Sequence, residues 1–144
     1  MIYLLFILSI FLHVWSDFYK QKWLAQAKCK SWWLEQEEAT YIDATYKLPK
    51  IRPLYQKDYW GMLGAHSAHW AFCVMLPVLI YGICNTNNID FFGFVAIIVF
   101  VINIILHSII DNLKANVKII NLLQDQFFHL IQIILTIVVM GVVI

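Results

Sequence analysis

Apolar residues fall in four blocks along this chain. The first starts at Ile2 and is broken only by Ser9 and His13 before Trp15, and its helical pattern runs on to about residue 21. The other three cover about residues 59–83, 90–111 and 122–144. A helix rises 1.5 Å per residue and needs about 20 mostly apolar residues to cross a bilayer core. The pattern therefore predicts an all-α fold: an integral membrane four-helix bundle forming one domain over residues 1–144. Asn85-Thr-Asn-Asn88 reads as a tight turn between the second and third spans, and Pro77 is expected to kink the second.

Residues 22–58 form the one long connection. From Lys20 to Glu38 it mixes helix formers with Trp23, Trp32, Trp33 and four lysines. Trp and Lys together suit the headgroup region, which predicts an amphipathic helix at the bilayer surface. From Ala39 to Asp58, Pro49, Pro53 and several tyrosines predict an irregular loop, either a lid or a solvated linker.

Composition agrees with a membrane domain. The chain is 62% hydrophobic and 13% charged, against about 25% charged in soluble domains. A net charge of +1 and no basic tail leave nucleic-acid binding without support. Three cysteines lack metal or disulfide-framework spacing. No Lys or Arg precedes the first apolar run and no small-residue cleavage site follows it, so it reads as a retained span. Eight Lys and Arg lie in the first loop (Lys20, Lys22, Lys28, Lys30, Lys47, Lys50, Arg52, Lys57) and two, Lys114 and Lys118, in the third. Cytoplasmic loops carry that excess, which predicts an inner-membrane protein with both termini outside and loops one and three cytoplasmic.

The chemistry sits inside the apolar blocks. His13/Asp17, His107/Asp111 and Asp125/His129 are four apart, and His66/His69 are three apart. Each spacing puts its pair on one helix face. The predicted topology brings all four pairs to the cytoplasmic end, and they include all five histidines. Ionisable groups at such depth are costly and point to function. Imidazole and carboxylate on several helices of a bundle suit a divalent transition metal: zinc first, with manganese or iron as alternatives. The expected ligands are His13, His66, His69, His107, Asp111, Asp125 and His129, with Asp17, Asp111 and Asp125 as catalytic carboxylates. The set would serve two ions, or one ion with carboxylates orienting imidazoles. Gln21, Lys114 and Gln126 are expected to contact substrate. Lys114 would otherwise snorkel to the headgroups.

Three functions fit these residues. The favoured one is metal-assisted hydrolysis of a lipid headgroup or small molecule at the cytoplasmic interface, the lid-like loop covering the site. A second is an ion or solute transporter, or an oligomeric channel; a lack of polar residues in the outer half argues against a path through one protomer. The third is a non-catalytic subunit whose polar pairs hold the bundle together. Beyond the bilayer itself, a second copy of the chain is the partner these readings allow.

Three motifs recur in order: His13-x3-Asp17-Phe-x2-Gln21, His107-x3-Asp111-x2-Lys114 and Asp125-Gln126-x2-His129. Together with the central His66/His69 pair, they resemble the small bacterial membrane proteins grouped as the domain of unknown function 3307 family. The resemblance covers the four spans. It implies that the His/Asp set is the functional site and supplies no substrate. The connection from about Glu35 to Lys57 is longer than the resemblance implies.

Overall fold

The computed structural model describes residues 1–35 and 57–144. It is an all-α four-helix bundle, and no strand occurs among the described residues. Helix α1 (Ile2–Val14) continues as a π-helical turn over Trp15–Tyr19. Two short helices follow, α2 (Leu24–Ala27) and α3, described over residues 30–35. Then come α4 (Asp58–Asn85), α5 (Ile89–Asn112) with a second π turn over Leu113–Val117, and α6 (Leu122–Val142). Four helical segments are long and apolar enough to cross a membrane: Ile2–Tyr19, Asp58–Asn85, Ile89–Val117 and Leu122–Val142.

Successive long helices run antiparallel in the order α1, α4, α5, α6, and α6 closes back on α1. Two apolar clusters fill the interior. One holds Leu5, Met75, Val78, Phe92, Ala96, Val99 and Met140; the other holds Trp70, Ala71, Val74, Ile133 and Ile137. Large apolar side chains also cover the outside, among them Phe11 on α1, Phe94 and Ile97 on α5, and Leu135 on α6. A helix apolar all round is what lipid contact requires.

Local sequence explains where the helices start. The side chain of Asn88 accepts a hydrogen bond from the Phe91 amide at 3.0 Å and caps α5. Asn121 and Gln124 form a reciprocal capping box at α6, each bond 2.9 Å long. In α4, Gly82 lets the Phe92 ring lie where a β-carbon would otherwise stand. Pro77 sits within the continuous α4, and Ser9 Oγ of α1 donates to the nearby Val74 carbonyl at 2.9 Å.

Two expectations need correction. The third span does not end at Asp111 but stays helical to Val117, because Lys114 and Asn116 find partners inside the protein. The described part of Lys20–Glu38 is not one surface helix. Lys22, at φ 41°, turns the chain back, and helix breaks again around Lys28 and Cys29. The break buries Ala27 and Lys28 against the bundle. Trp33 Nε1 then donates to the Ala27 carbonyl at 2.6 Å. Asn116 secures this strap: its Nδ2 donates to the Lys28 carbonyl at 3.1 Å, and its Oδ1 accepts from the Lys30 amide at 2.7 Å. The irregular loop expected over Ala39–Asp58 lies almost wholly outside the described residues.

Candidate metal centre

Both π turns lie at one end of the bundle, where α1 and α5 finish and α4 and α6 begin. A π turn widens the helix and re-aims the side chains beside it, and such turns recur at functional sites. Here Asp17 lies within the first and Asp111 two residues before the second. With the first turns of α4 and α6, they bring carboxylates and imidazoles from four helices together.

Four of the five histidines converge there. His66 Nε2 and His107 Nε2 are 3.1 Å apart. His66 Nε2 lies 3.2 Å from Asp17 Oδ1 and 3.3 Å from Asp111 Oδ2. His107 Nε2 lies 4.0 Å and 3.8 Å from the same two oxygens. His129 Nε2 is 3.7 Å from the other oxygen of Asp111 and 3.3 Å from Asp125 Oδ1. His66, His107, Asp111, Asp125 and His129 are all at most 1% exposed. Two overlapping triads could each hold a metal ion: Asp17, His66 and His107; and His107, Asp111 and His129.

The spacing fits metal coordination. Bonds of 2.0–2.1 Å in a tetrahedral zinc site place neighbouring ligand atoms about 3.3 Å apart. Hydrogen bonding supports the same reading. Among the described residues, His107 Nδ1, both nitrogens of His129 and Asp125 Oδ1 are buried without a hydrogen-bond partner. His129 Nε2 and Asp125 Oδ1 are close, yet they are not aligned on each other. Buried polar atoms without partners are costly, and a ligated ion would remove that cost for His129 Nε2 and Asp125 Oδ1, which lie 3.3 Å apart.

Each of the three carboxylates also accepts hydrogen bonds from neighbouring side chains, as ligand carboxylates commonly do. Asp125 Oδ2 accepts from Lys114 Nζ and, at 3.0 Å, from Gln126 Nε2. Asp111 Oδ2 accepts from Lys28 Nζ at 2.6 Å. Asp17 Oδ1 accepts from Gln21 Nε2 at 3.1 Å. Gln21, Lys114 and Gln126 thus all contact site carboxylates.

His13 lies beside the centre in a supporting role. Indole N–H is only a donor. Trp70 Nε1 donates to His13 Nδ1 at 2.7 Å, so His13 carries its proton on Nε2 and donates it to Gln126 Oε1 at 2.9 Å. Both ring nitrogens are engaged, so His13 positions Gln126, and through it Asp125. Its Nδ1 is also 3.6 Å from Asp17 Oδ2.

The structure does not bring His69 into the cluster. On α4 the inward positions after His66 are Ser67 and Trp70, and His69 is exposed. A three-residue step falls about 60° short of a full turn. The His69 ring meets Ser16 Oγ at 3.1 Å and the Cys73 thiol at 3.8 Å instead.

Two residues of the site were not expected from the sequence. Lys28 is 6% exposed and reaches Asp111, whereas its place among Trp and Lys residues suggested a headgroup contact. Trp70 is wholly buried and stacks on His107 at 4.2 Å, with His13 and His129 also against its ring. A signal for Trp70 does exist in the sequence: it lies one turn after His66, inside a span rather than at its interface.

No protein-family model matches the chain, and comparison with curated proteins and with solved structures finds no significant match.

Proposed function

We propose that this protein is a membrane-embedded, metal-dependent hydrolase. The observation that carries the reading is the convergence of buried imidazole nitrogens and carboxylate oxygens at coordination spacing, with several of those atoms lacking any other partner. Zinc is the first choice of ion, because a mixed His/Asp set at tetrahedral spacing suits it, with manganese or iron next. When bound, such an ion supplies Lewis acidity and lowers the pKa of water. In the reaction, water's oxygen bonds to the electrophilic carbon or phosphorus and the bond to the leaving alcohol breaks. One proton of the water goes to a site carboxylate and is passed to the departing oxygen. Asp17 suits that role, since it is the least enclosed of the three acids.

The centre lies at one end of the spans, so the proposed substrate is a lipid headgroup or a small molecule at the membrane surface. The Lys and Arg bias of the loops supports placing this end in the cytoplasm and the chain in an inner membrane. Membership of the domain of unknown function 3307 family is part of the same proposal and rests on the three spaced motifs.

One observation favours a transporter as the second reading. Polar side chains continue past His129 toward the bundle middle. Gln132 Nε2 donates to Asn103 Oδ1 at 2.8 Å, and Asn103 Nδ2 donates to Thr136 Oγ1 at 2.9 Å. Beyond Thr136 the interior is closed by Met75, Val78, Phe92 and Met140, which supports an enzyme over a path through one protomer.

Protein purified without chelator should carry a transition metal, measurable by mass spectrometry. It should hydrolyse members of a panel of phosphoester and carboxylester headgroup analogues, and His107→Ala should lower the bound metal and abolish hydrolysis. A folded protein free of transition metal would sink the hydrolase. Metal-dependent solute flux into liposomes without hydrolysis would favour the transporter.

A further inference from the structure

We infer that His129 is the centre of a second divalent-cation site, with Asp111 bridging it to the first. The inference rests on the metal-dependent reading above and adds a second ion and its ligands. Asp111 carries the argument. Its two oxygens serve different imidazole sets: Oδ2 faces His66 and His107 at 3.3 and 3.8 Å, and Oδ1 faces His129 at 3.7 Å. A carboxylate with one oxygen toward each of two ligand groups has the form of a bridge between two ions. Paired-metal sites hold their ions about 3.5–4 Å apart.

His129 supplies an independent observation. Its ring is fully buried, and among the described residues neither nitrogen has a hydrogen-bond partner. A neutral imidazole in such a place ordinarily donates through one nitrogen and accepts through the other. Here Nε2 instead lies near two carboxylate oxygens, 3.3 Å from Asp125 Oδ1 and 3.7 Å from Asp111 Oδ1. Asp125 Oδ1 is itself bare, while Asp125 Oδ2 is held by Lys114 and Gln126. The ligands of the second site are therefore His129 Nε2, Asp111 Oδ1 and Asp125 Oδ1. The first keeps Asp17, His66, His107 and Asp111 Oδ2.

Charge sets what a second ion requires. Three carboxylates meet two ammonium groups, those of Lys28 and Lys114, in a buried space. One divalent ion would bring that sum from −1 to +1, and a second to +3. An excess of that size is matched by an anionic substrate, and paired ions clamp the attacking and leaving oxygens of an in-line displacement. The ligand class of the second site is thus a divalent cation, and the substrate class it favours is a phosphoester.

Metal stoichiometry decides the matter. Metal-free, full-length protein in detergent is titrated with Co(II), following its visible absorption, and the zinc-loaded protein is analysed by mass spectrometry. The expected result is two ions per chain in the wild type and one in His129→Gln and in Asp125→Asn. Elution volume and helical circular dichroism should be unchanged in both. Saturation at one ion in the wild type would overturn the second site and leave the hydrolase standing, with His129 only an ion-pair partner of the two acids. Two ions retained in both variants would overturn its placement at His129. Binding of no ion would overturn this inference and the proposed hydrolase together. If either variant fails to fold, the wild-type Co(II) endpoint still decides between one ion and two.

Discussion

Replacing Lys28 with Met keeps the length of the side chain and removes its charge. Lys28 Nζ lies 2.6 Å from Asp111 Oδ2, with side chains 8% and 2% exposed. At an effective dielectric constant of 20, two unit charges at that distance attract by about 6 kcal/mol. Taking both groups from water offsets much of this, yet removing one partner of a buried pair typically costs about 3–5 kcal/mol, because the other charge is left uncompensated. For a chain of this size each kcal/mol moves the melting temperature by roughly 3 °C. Lys28→Met should therefore lower the melting temperature of chelator-treated protein in detergent by roughly 10 °C. Zinc should recover part of the loss, since a bound ion supplies positive charge to the same carboxylate. A double-mutant cycle with Asp111→Asn isolates the pair and should give a coupling of at least about 2 kcal/mol. Coupling below about 0.5 kcal/mol, or a melting point within a degree or two of wild type, would refute the pairing. Lys28 would then be a surface lysine, as its sequence context suggests.

The adjacent histidines of α4 should behave differently: His66→Ala should lower bound metal by about one ion per chain, while His69→Ala should leave it unchanged, both read by mass spectrometry. Cutting the strap's tether with Asn116→Ala should speed zinc loss to a chelator severalfold with little change in equilibrium metal content, as stopped-flow with a zinc indicator would show. Gly82→Leu forces the α4 backbone off the Phe92 ring and should destabilise the bundle by about 1–3 kcal/mol in thermal unfolding. Asn103→Leu strands the Thr136 hydroxyl in the apolar interior, leaves Gln132 only the backbone carbonyl at 103, and should cost about 1–3 kcal/mol in the same assay, without loss of metal.

Hydrophobic pattern was enough to determine the four spans, because crossing a bilayer is a matter of length and apolar content. Three of the four polar pairs were legible for a related reason. A four-residue step keeps two side chains on nearly the same face, so His107/Asp111, Asp125/His129 and His13/Asp17 each had to point one way. His66/His69 was less secure, since three residues straddle a face, and only packing decided that Trp70 and not His69 turns inward. Local pattern also cannot reveal what a side chain does to its neighbours. His13 became a support for Gln126 because Trp70, distant in sequence, donates to its ring. Lys28 became a buried partner of Asp111 because the chain turns back at Lys22 and is pinned by Asn116. Both π turns were likewise invisible: no local pattern marks them, and their side chains meet partners on other helices. What the sequence by itself determined was therefore which helices are long and apolar enough to cross and which faces carry ionisable groups, since periodicity and length act within one helix. Which atoms meet at the centre, and which are left without a partner, was decided only by the tertiary structure, because those contacts join residues up to 113 positions apart.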